Sequence, residues 1–226
     1  INKVFFKSLN NSRPHITLKI ASTADGKIAT KSKKSKWITN SVSRQHGHML
    51  RAQNDCMLVG RGTVEEDNPA LDCRLSGLES FSPDLFLLDS TMSIPNHYKI
   101  FSNHLRNVFV FYSDGKKRSN FNKKNIKYIK VSKKGSELSL REILKKITNL
   151  GYMRILVEGG SHLSGSLLKN NYVNEIQWFR ASKIIGKGGV DAVSDMGVSN
   201  MKSTKNFVLL DSKNYGNDIL TIYRKG

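Results

Sequence analysis

Residues 154–168 read RILVEGGSHLSGSLL. An apolar run ends in a carboxylate at Glu158, two glycines follow, and small polar residues lead into a second apolar run. This is the pattern of a strand, a tight turn and a helix over 161–170, the βα unit from which parallel sheets are built. Two glycines at such a junction let backbone approach backbone, or let a ligand approach both, and the amides of a helix start attract anions. A plain turn with Ser161 as helix cap fits the same residues. The stretch matches neither G-x-G-x-x-G nor G-x-x-x-x-G-K-[ST], because no lysine and hydroxyl pair follows Gly165.

Outward from this unit, strand-like and helix-like segments alternate. HITLKIAST (15–23) reads as the first strand, and SVSRQHGHMLRAQ (41–53) as a helix with Val42, His46, Met49 and Leu50 on one face. CMLVGR (56–61), LFLLDS (85–90), NVFVFYS (107–113) and IKYIKVS (126–132) read as further strands. A helix over 139–150 places Leu140, Ile143, Leu144, Ile147 and Leu150 on one side, with Ser139 and Glu142 as a capping box and Gly151 as its stop. EIQWFRA, NFVLLD and ILTIYRK close the chain as strands. The alternation predicts parallel pairing with helices on both faces, and the strand-rich tail predicts antiparallel additions at an edge. In such mixed α/β sheets ligands bind beyond the carboxyl ends of strands, where RILVE delivers Glu158 and the glycines.

With 226 residues and 38% hydrophobic composition, the chain is long enough for the core of one domain. No run approaches the roughly 20 apolar residues of a membrane span. The first residues, INKVFFKSLNNSRP, show neither an initiator Met nor the zones of a signal peptide, so residues 1–13 read as a residual interdomain linker and 14–226 as the domain. Cys56 and Cys73 are too few for a disulfide framework and lack zinc-ligand spacing, which suits a reducing, cytoplasmic setting, with Cys56 as an inert buried thiol. The formal charge is +19, with lysines crowded in KSKKSK (31–36), GKKR (115–118), NKKN (122–125) and KVSKKGS (130–136). Such a surface attracts phosphate-bearing partners, but without interleaved aromatics it carries no specific nucleic-acid signature.

A second polar concentration runs from 51 to 74. A strand ends at Gly60 and Gly62, and Thr63, Asp67, Asn68 and Arg74 follow in a loop that Pro69 stiffens. Arg51 and Arg74 flank that strand end, either as surface charges or as a fork for a phosphate. Lys19 lies inside the first strand, as a snorkelling residue or as an inward ammonium held for function. Trp37 is either a core anchor or a flat wall for a heterocycle. The six histidines fall in no H-E-x-x-H or G-x-S-x-G context, so neither a catalytic histidine nor a metal set is assigned.

Taken together, ITLKIASTADGKIA, SKWIT, LRAQNDCMLVGRGTVEEDNPALDCR and ILVEGGSHLSGSLL closely resemble, in order and spacing, the reductase half of the bifunctional riboflavin-biosynthesis deaminase/reductase family. FRASKIIGKGG is similar to the family's Ala-Pro-Lys-x-x-Gly block, with Ser182 in place of the proline. The resemblance implies a dihydrofolate-reductase-like, three-layer α/β fold. It implies NADPH-dependent reduction of the ribosyl group of 5-amino-6-(5-phosphoribosylamino)uracil to a ribityl chain, by hydride transfer to the ribose C1′ carbon. Carried over by motif, Ala21, Trp37, Thr63, Asp67, Ser90 and Gly160, Ser161, His162, Leu163, Ser164, Gly165 and Ser166 would contact the dinucleotide. Ser35, Arg51, Leu71, Arg74 and Glu158 would contact the substrate, and Lys19 resembles a substrate-binding lysine. Asp67 or Lys19 would supply or organise the proton that activates an imine toward hydride. The resemblance further implies a homodimer and a zinc deaminase domain in the full-length protein, whose H-x-E and P-C-x-x-C elements this chain lacks. The competing readings are a pterin or folate reductase of the same fold and, more remotely, a basic nucleic-acid-binding module.

Overall fold

The computed structural model describes residues 13–114 and 124–226. The linker reading of 1–12, the GKKR cluster and the first half of NKKN lie outside these residues. Along the chain run β1 (His15–Thr23), β2 (Lys27–Ala29), α1 (Ser41–Gln53), β3 (Cys56–Gly60), α2 (Arg61–Asp67), β4 (Asp84–Leu88), β5 (Val108–Tyr112) and β6 (Ile126–Lys130). They are followed by β7 (Lys133–Lys134), β8 (Glu137–Leu138), α3 (Leu140–Asn149), β9 (Arg154–Glu158), α4 (Ser161–Lys169), β10 (Glu175–Ala181), β11 (Val190–Asp191), β12 (Phe207–Tyr215) and β13 (Asp218–Lys225). The chain divides into two compact units, one built on Leu50–Leu156 and the other on Ile16–Met49 with Val157–Gly226.

In the first unit β3, β4, β5 and β6 pair in parallel in that order. Their centres are unbroken apolar runs, with Met57, Leu58, Val59, Leu85, Phe86 and Leu87 fully buried, as strands covered on both faces require. Phe86 anchors the packing: its ring stacks on Phe109 at 4.7 Å and meets Tyr152 edge-on at 5.1 Å. Ser139 caps α3 by accepting from the Glu142 amide at 3.4 Å. The return arm of the expected capping box is absent, because the Glu142 carboxylate accepts from the Ser132 amide and hydroxyl at 2.8 and 2.7 Å instead. Leu150 is 47% exposed and falls off the buried face that Ile143, Leu144 and Ile147 form.

A larger correction concerns 61–67, expected as loop. Arg61 starts a short helix directly after β3; Val64 is buried beneath it and an Arg61–Glu65 ion pair of 3.5 Å spans one turn. Asn68, in left-handed conformation at φ 40°, ends α2 by donating its amide to the Val64 carbonyl. Pro69 right after this cap prevents continuation.

In the second unit β1 pairs parallel with β10, β10 antiparallel with β13, and β13 antiparallel with β12. The antiparallel tail thus follows the expectation, as does the mixed, mostly parallel sheet class. The turn after β1 is set by Gly26 at φ 78°, while the Asp25 carboxylate accepts from Thr23 Oγ1 and from the amides of Ile185 and Gly186. These bonds hold the Asp25 carboxyl below its ordinary pKa and tie the FRASKIIGKGG segment to the first strand. On α1 the expected apolar face is displaced. Val42 is 49% exposed, and the buried side is Ser43, Gly47 and Leu50, because the Ser43 hydroxyl donates to the buried Asp218 carboxylate at 2.6 Å. Among the described residues no helix is long and apolar enough to cross a membrane.

Candidate functional site

Within the second unit Lys19 stands on β1 in register with Gln177 of β10. Its ammonium lies 3.6 Å from the Glu158 carboxylate, with the two side chains only 20% and 11% exposed. The Phe179 ring centre is 6.0 Å away, and α1 passes closely enough that a Cβ on Gly47 would meet Lys19 Cε at 3.9 Å. The ammonium is therefore held against a carboxylate and an aromatic face rather than extended into solvent, and a pair with little water around it interacts more strongly than a surface pair. Ala21, half-buried, follows two residues later on the same strand.

Trp37 is 60% exposed, which removes the core-anchor reading. The Arg44 guanidinium lies 4.5 Å over its ring, and Lys183 Nζ donates to its carbonyl at 2.7 Å. Ser35, half-buried, accepts the Ile38 amide at 3.1 Å in the turn leading to it. Ser182 takes the family's proline position with a use of its own: its hydroxyl donates to the Asn217 carbonyl at 2.5 Å.

After Glu158, Gly160 is the N-cap of α4 and Ser161 its first helical residue, so Ser161 is not the cap. No side chain caps this helix start. A Cβ on Gly159 would sit 3.1 Å from Leu163 Cδ2, so the Leu163 side chain would have to give slightly to admit one. Leu163, Ser164 and Gly165 are buried, Ser161 and Ser166 half-buried, and His162 exposed. The Ser164 hydroxyl has no hydrogen-bond partner among the described residues although it is fully enclosed. The uncapped amides of this helix start fit a bound dinucleotide phosphate.

In the first unit Thr63 and Asp67 lie on α2 just beyond the carboxyl end of β3, and Ser90 lies just beyond that of the neighbouring β4. The Ser90 carbonyl accepts the Ser113 and Asp114 amides at 3.1 and 3.0 Å. Arg51 and Arg74 meet on one residue that the sequence did not single out: Arg51 Nη1 donates to the Asp72 carbonyl at 2.9 Å, and Arg74 Nε lies 3.3 Å from the Asp72 carboxylate. Leu71, at φ 54° and 4% exposed, precedes it.

Residues 14–221 match the model of the RibD C-terminal domain. The chain belongs to that family. The riboflavin biosynthesis protein RibD of Aquifex aeolicus is 32% identical over 231 residues, covering all of this chain and 62% of that protein. Among solved structures, Acinetobacter baumannii RibD superposes with a TM-score of 0.87 at 25% identity, over 100% of this chain and 62% of that one. A Thermotoga maritima protein described as a diaminohydroxyphosphoribosylaminopyrimidine deaminase/5-amino-6-(5-phosphoribosylamino)uracil reductase gives 0.81 at 28%, over 99% and 60%. The chain thus spans about three fifths of each of these three relatives, and the RibD C-terminal domain fold is the dihydrofolate-reductase-like one that the resemblance implied.

Beyond the residues carried over by motif, the fold brings in Asp72, Lys183 and His46. His46 shares α1 with the segment over Lys19, accepts or donates with Tyr215 Oη at 2.9 Å and packs on Phe179 at 5.6 Å. Burial, offset in part by Gln177 and aided by the Lys213 charge, lowers its pKa below 6.5. As pH drops below about 6.5 the unfolded chain therefore binds a proton that the folded chain resists, and stability falls until the folded pKa is passed. His46→Gln is expected to flatten this acid-side loss. Urea midpoints measured across that range should separate from wild type toward low pH; parallel curves would contradict the assignment.

Proposed function

We propose that this chain reduces the ribosyl group of 5-amino-6-(5-phosphoribosylamino)uracil to the ribityl chain with NADPH. The observation that carries the reading is the shielded Lys19–Glu158 pair immediately before an uncapped, glycine-led helix start, in a chain of the RibD C-terminal domain family. When bound, the reduced nicotinamide supplies the hydride. The free amides at the start of α4 bind its phosphates, with the rest of the Gly160 to Ser166 segment and Ala21, Trp37, Thr63, Asp67 and Ser90 completing the contacts. Preference for the 2′-phosphate falls to the exposed lysines Lys31, Lys33, Lys34 and Lys36.

Toward the substrate, Arg51 and Arg74 hold the phosphate, and Ser35, Leu71 and Glu158 fix the ribose and ring. Lys19 Nζ, 3.6 Å from the Glu158 carboxylate, delivers a proton to the imine nitrogen of the opened sugar, which makes the C1′ carbon a better hydride acceptor. Asp67, on an α2 end open to water, organises the site rather than donating. The paired arginines favour a phosphorylated substrate over a pterin or folate. In the full-length protein a deaminase domain would precede this one, residues 1–13 forming the link. A homodimer is supported by β12, which among the described residues pairs only with β13 and leaves Val208, Leu209 and Leu210 about half exposed; a monomer mass by light scattering would remove it. Free, buried Cys56 and Cys73 suit a reducing cytoplasm.

NADPH oxidation on adding the freshly generated phosphoribosyl substrate tests the activity. Turnover is expected with this substrate and not with dihydrofolate. Dihydrofolate turnover alone would overturn the substrate assignment, and tight, salt-sensitive binding of nucleic acid without any turnover would favour the basic-module reading.

A further inference from the structure

Arg106 was invisible in sequence, a single cation in the polar stretch NHLRN. In the structure it is 3% exposed. Its Nη1 donates to the Leu71 carbonyl at 2.5 Å, and its Nη2 to the carbonyls of Ala70 at 2.5 Å and Ile100 at 3.4 Å. A guanidinium buried against carbonyls is a costly way to fill space, and an apolar side chain of similar volume would pack more favourably. What it provides is geometry. The loop it grips is short and unusual, with two non-glycine residues, Asn68 and Leu71, at positive φ of 40° and 54°. The same loop is pinned at its flanks, where Asn68 Oδ1 accepts the Lys99 amide at 2.9 Å and Ser82 Oγ accepts the Cys73 amide at 3.0 Å.

The next residue after the grip is Asp72, on which Arg51 and Arg74 converge through carbonyl and carboxylate respectively. Resting on the functional reading above, we propose that Arg106 is a positioning residue that sets Arg51 and Arg74 for the phosphate of the substrate by fixing the Ala70–Asp72 backbone. Burial brings the Arg106 pKa down to about 10, so it stays cationic at neutral pH and the grip is permanent. A loop displaced by loss of the guanidinium shifts both arginines together, which neither arginine's own replacement does.

Steady-state kinetics of Arg106→Met and Arg106→Lys, with the phosphorylated substrate and its dephosphorylated riboside, test this. Arg106→Met is expected to raise KM for the phosphorylated substrate by about tenfold to a hundredfold, the cost of an ångström-scale misplacement. Saturating kcat and the KM for NADPH should change less than about twofold, and the KM for the riboside, which loses only the Leu71 contact, should rise far less than that for the phosphorylated substrate. Arg106→Lys, with a point charge in place of the planar fork, should fall between. A lowered kcat with unchanged KM, or an equal KM rise for phosphorylated and unphosphorylated substrates, would reduce Arg106 to a structural role and overturn the proposal. Should Arg106→Met fail to fold, the KM ratio of Arg106→Lys decides in the same way. Arg51→Met and Arg74→Met serve as references: if they raise the phosphorylated KM and the Arg106 variants do not, this inference fails and the function stands. If wild type turns over no phosphoribosyl substrate, the function itself fails.

Discussion

Lys19→Met is expected to slow single-turnover hydride transfer by about 10²–10⁴-fold, the span usual for loss of a positioned proton donor. The expectation follows from where the ammonium sits. A lysine extended into water would be replaceable by buffer; Lys19 instead rests 3.6 Å from Glu158, beneath α1 and beside Phe179, where few waters can substitute. Glu158→Gln should recover none of this loss in the double variant, because the pair acts as one unit and its effects do not add. Asp67→Asn should cost much less, since Asp67 is only half-buried at the end of the short helix α2. An unchanged rate in Lys19→Met, with a collapsed rate in Asp67→Asn, would transfer the proton role to the aspartate.

The second large effect is structural and falls on the cofactor segment. A Cβ on Gly165 would lie 2.2 Å from Ser194 Oγ and 3.1 and 3.2 Å from the Ser194 carbonyl oxygen and amide nitrogen. The hydroxyl can rotate away, but the backbone cannot, because the Ser194 amide is fixed on the Ser161 carbonyl at 3.1 Å. Gly165→Ala is therefore expected to cost about 1–3 kcal/mol by overpacking, lowering the melting temperature by about 2–4 °C per kcal/mol in a chain of this size. NADPH affinity should fall with it, as the first turn of α4 is displaced. Adding Ser194→Gly should return part of the stability and not all, because the main-chain contacts remain. Full recovery would show that only the hydroxyl was in the way; no loss at all in the single variant would mean that the 190–200 segment yields freely.

Elements with a clear period and a core on one side were legible in sequence. β1, β10 and the helix after Ser139 appear within a residue of their expected bounds, since alternation or an apolar stripe reports burial directly. α2 was not legible: its seven residues bury only Val64, and one apolar position has no period. The face of α1 was misplaced because its packing is polar, with Ser43 bonded to the buried Asp218 where an apolar residue was expected. At the site, glycines and carboxylate around 158–160 announced themselves by their place after a strand. The closeness of Lys19 to Glu158 did not, because strand pairing sets it and residue spacing does not. Asp72 and Arg106 were hidden for a related reason: each looks like a solvated charge until the backbone conformation at Leu71 brings carbonyls and guanidinium together.

The central claim is tested most directly by reducing the phosphoribosyl substrate with NADPH deuterated at nicotinamide C4 and locating the label in the product. The account predicts one deuterium on the ribityl C1′ carbon, absent when Lys19→Met is assayed over a single wild-type turnover time. Product formed with no label at C1′ would contradict it, whether the deuterium appears on another carbon or not at all.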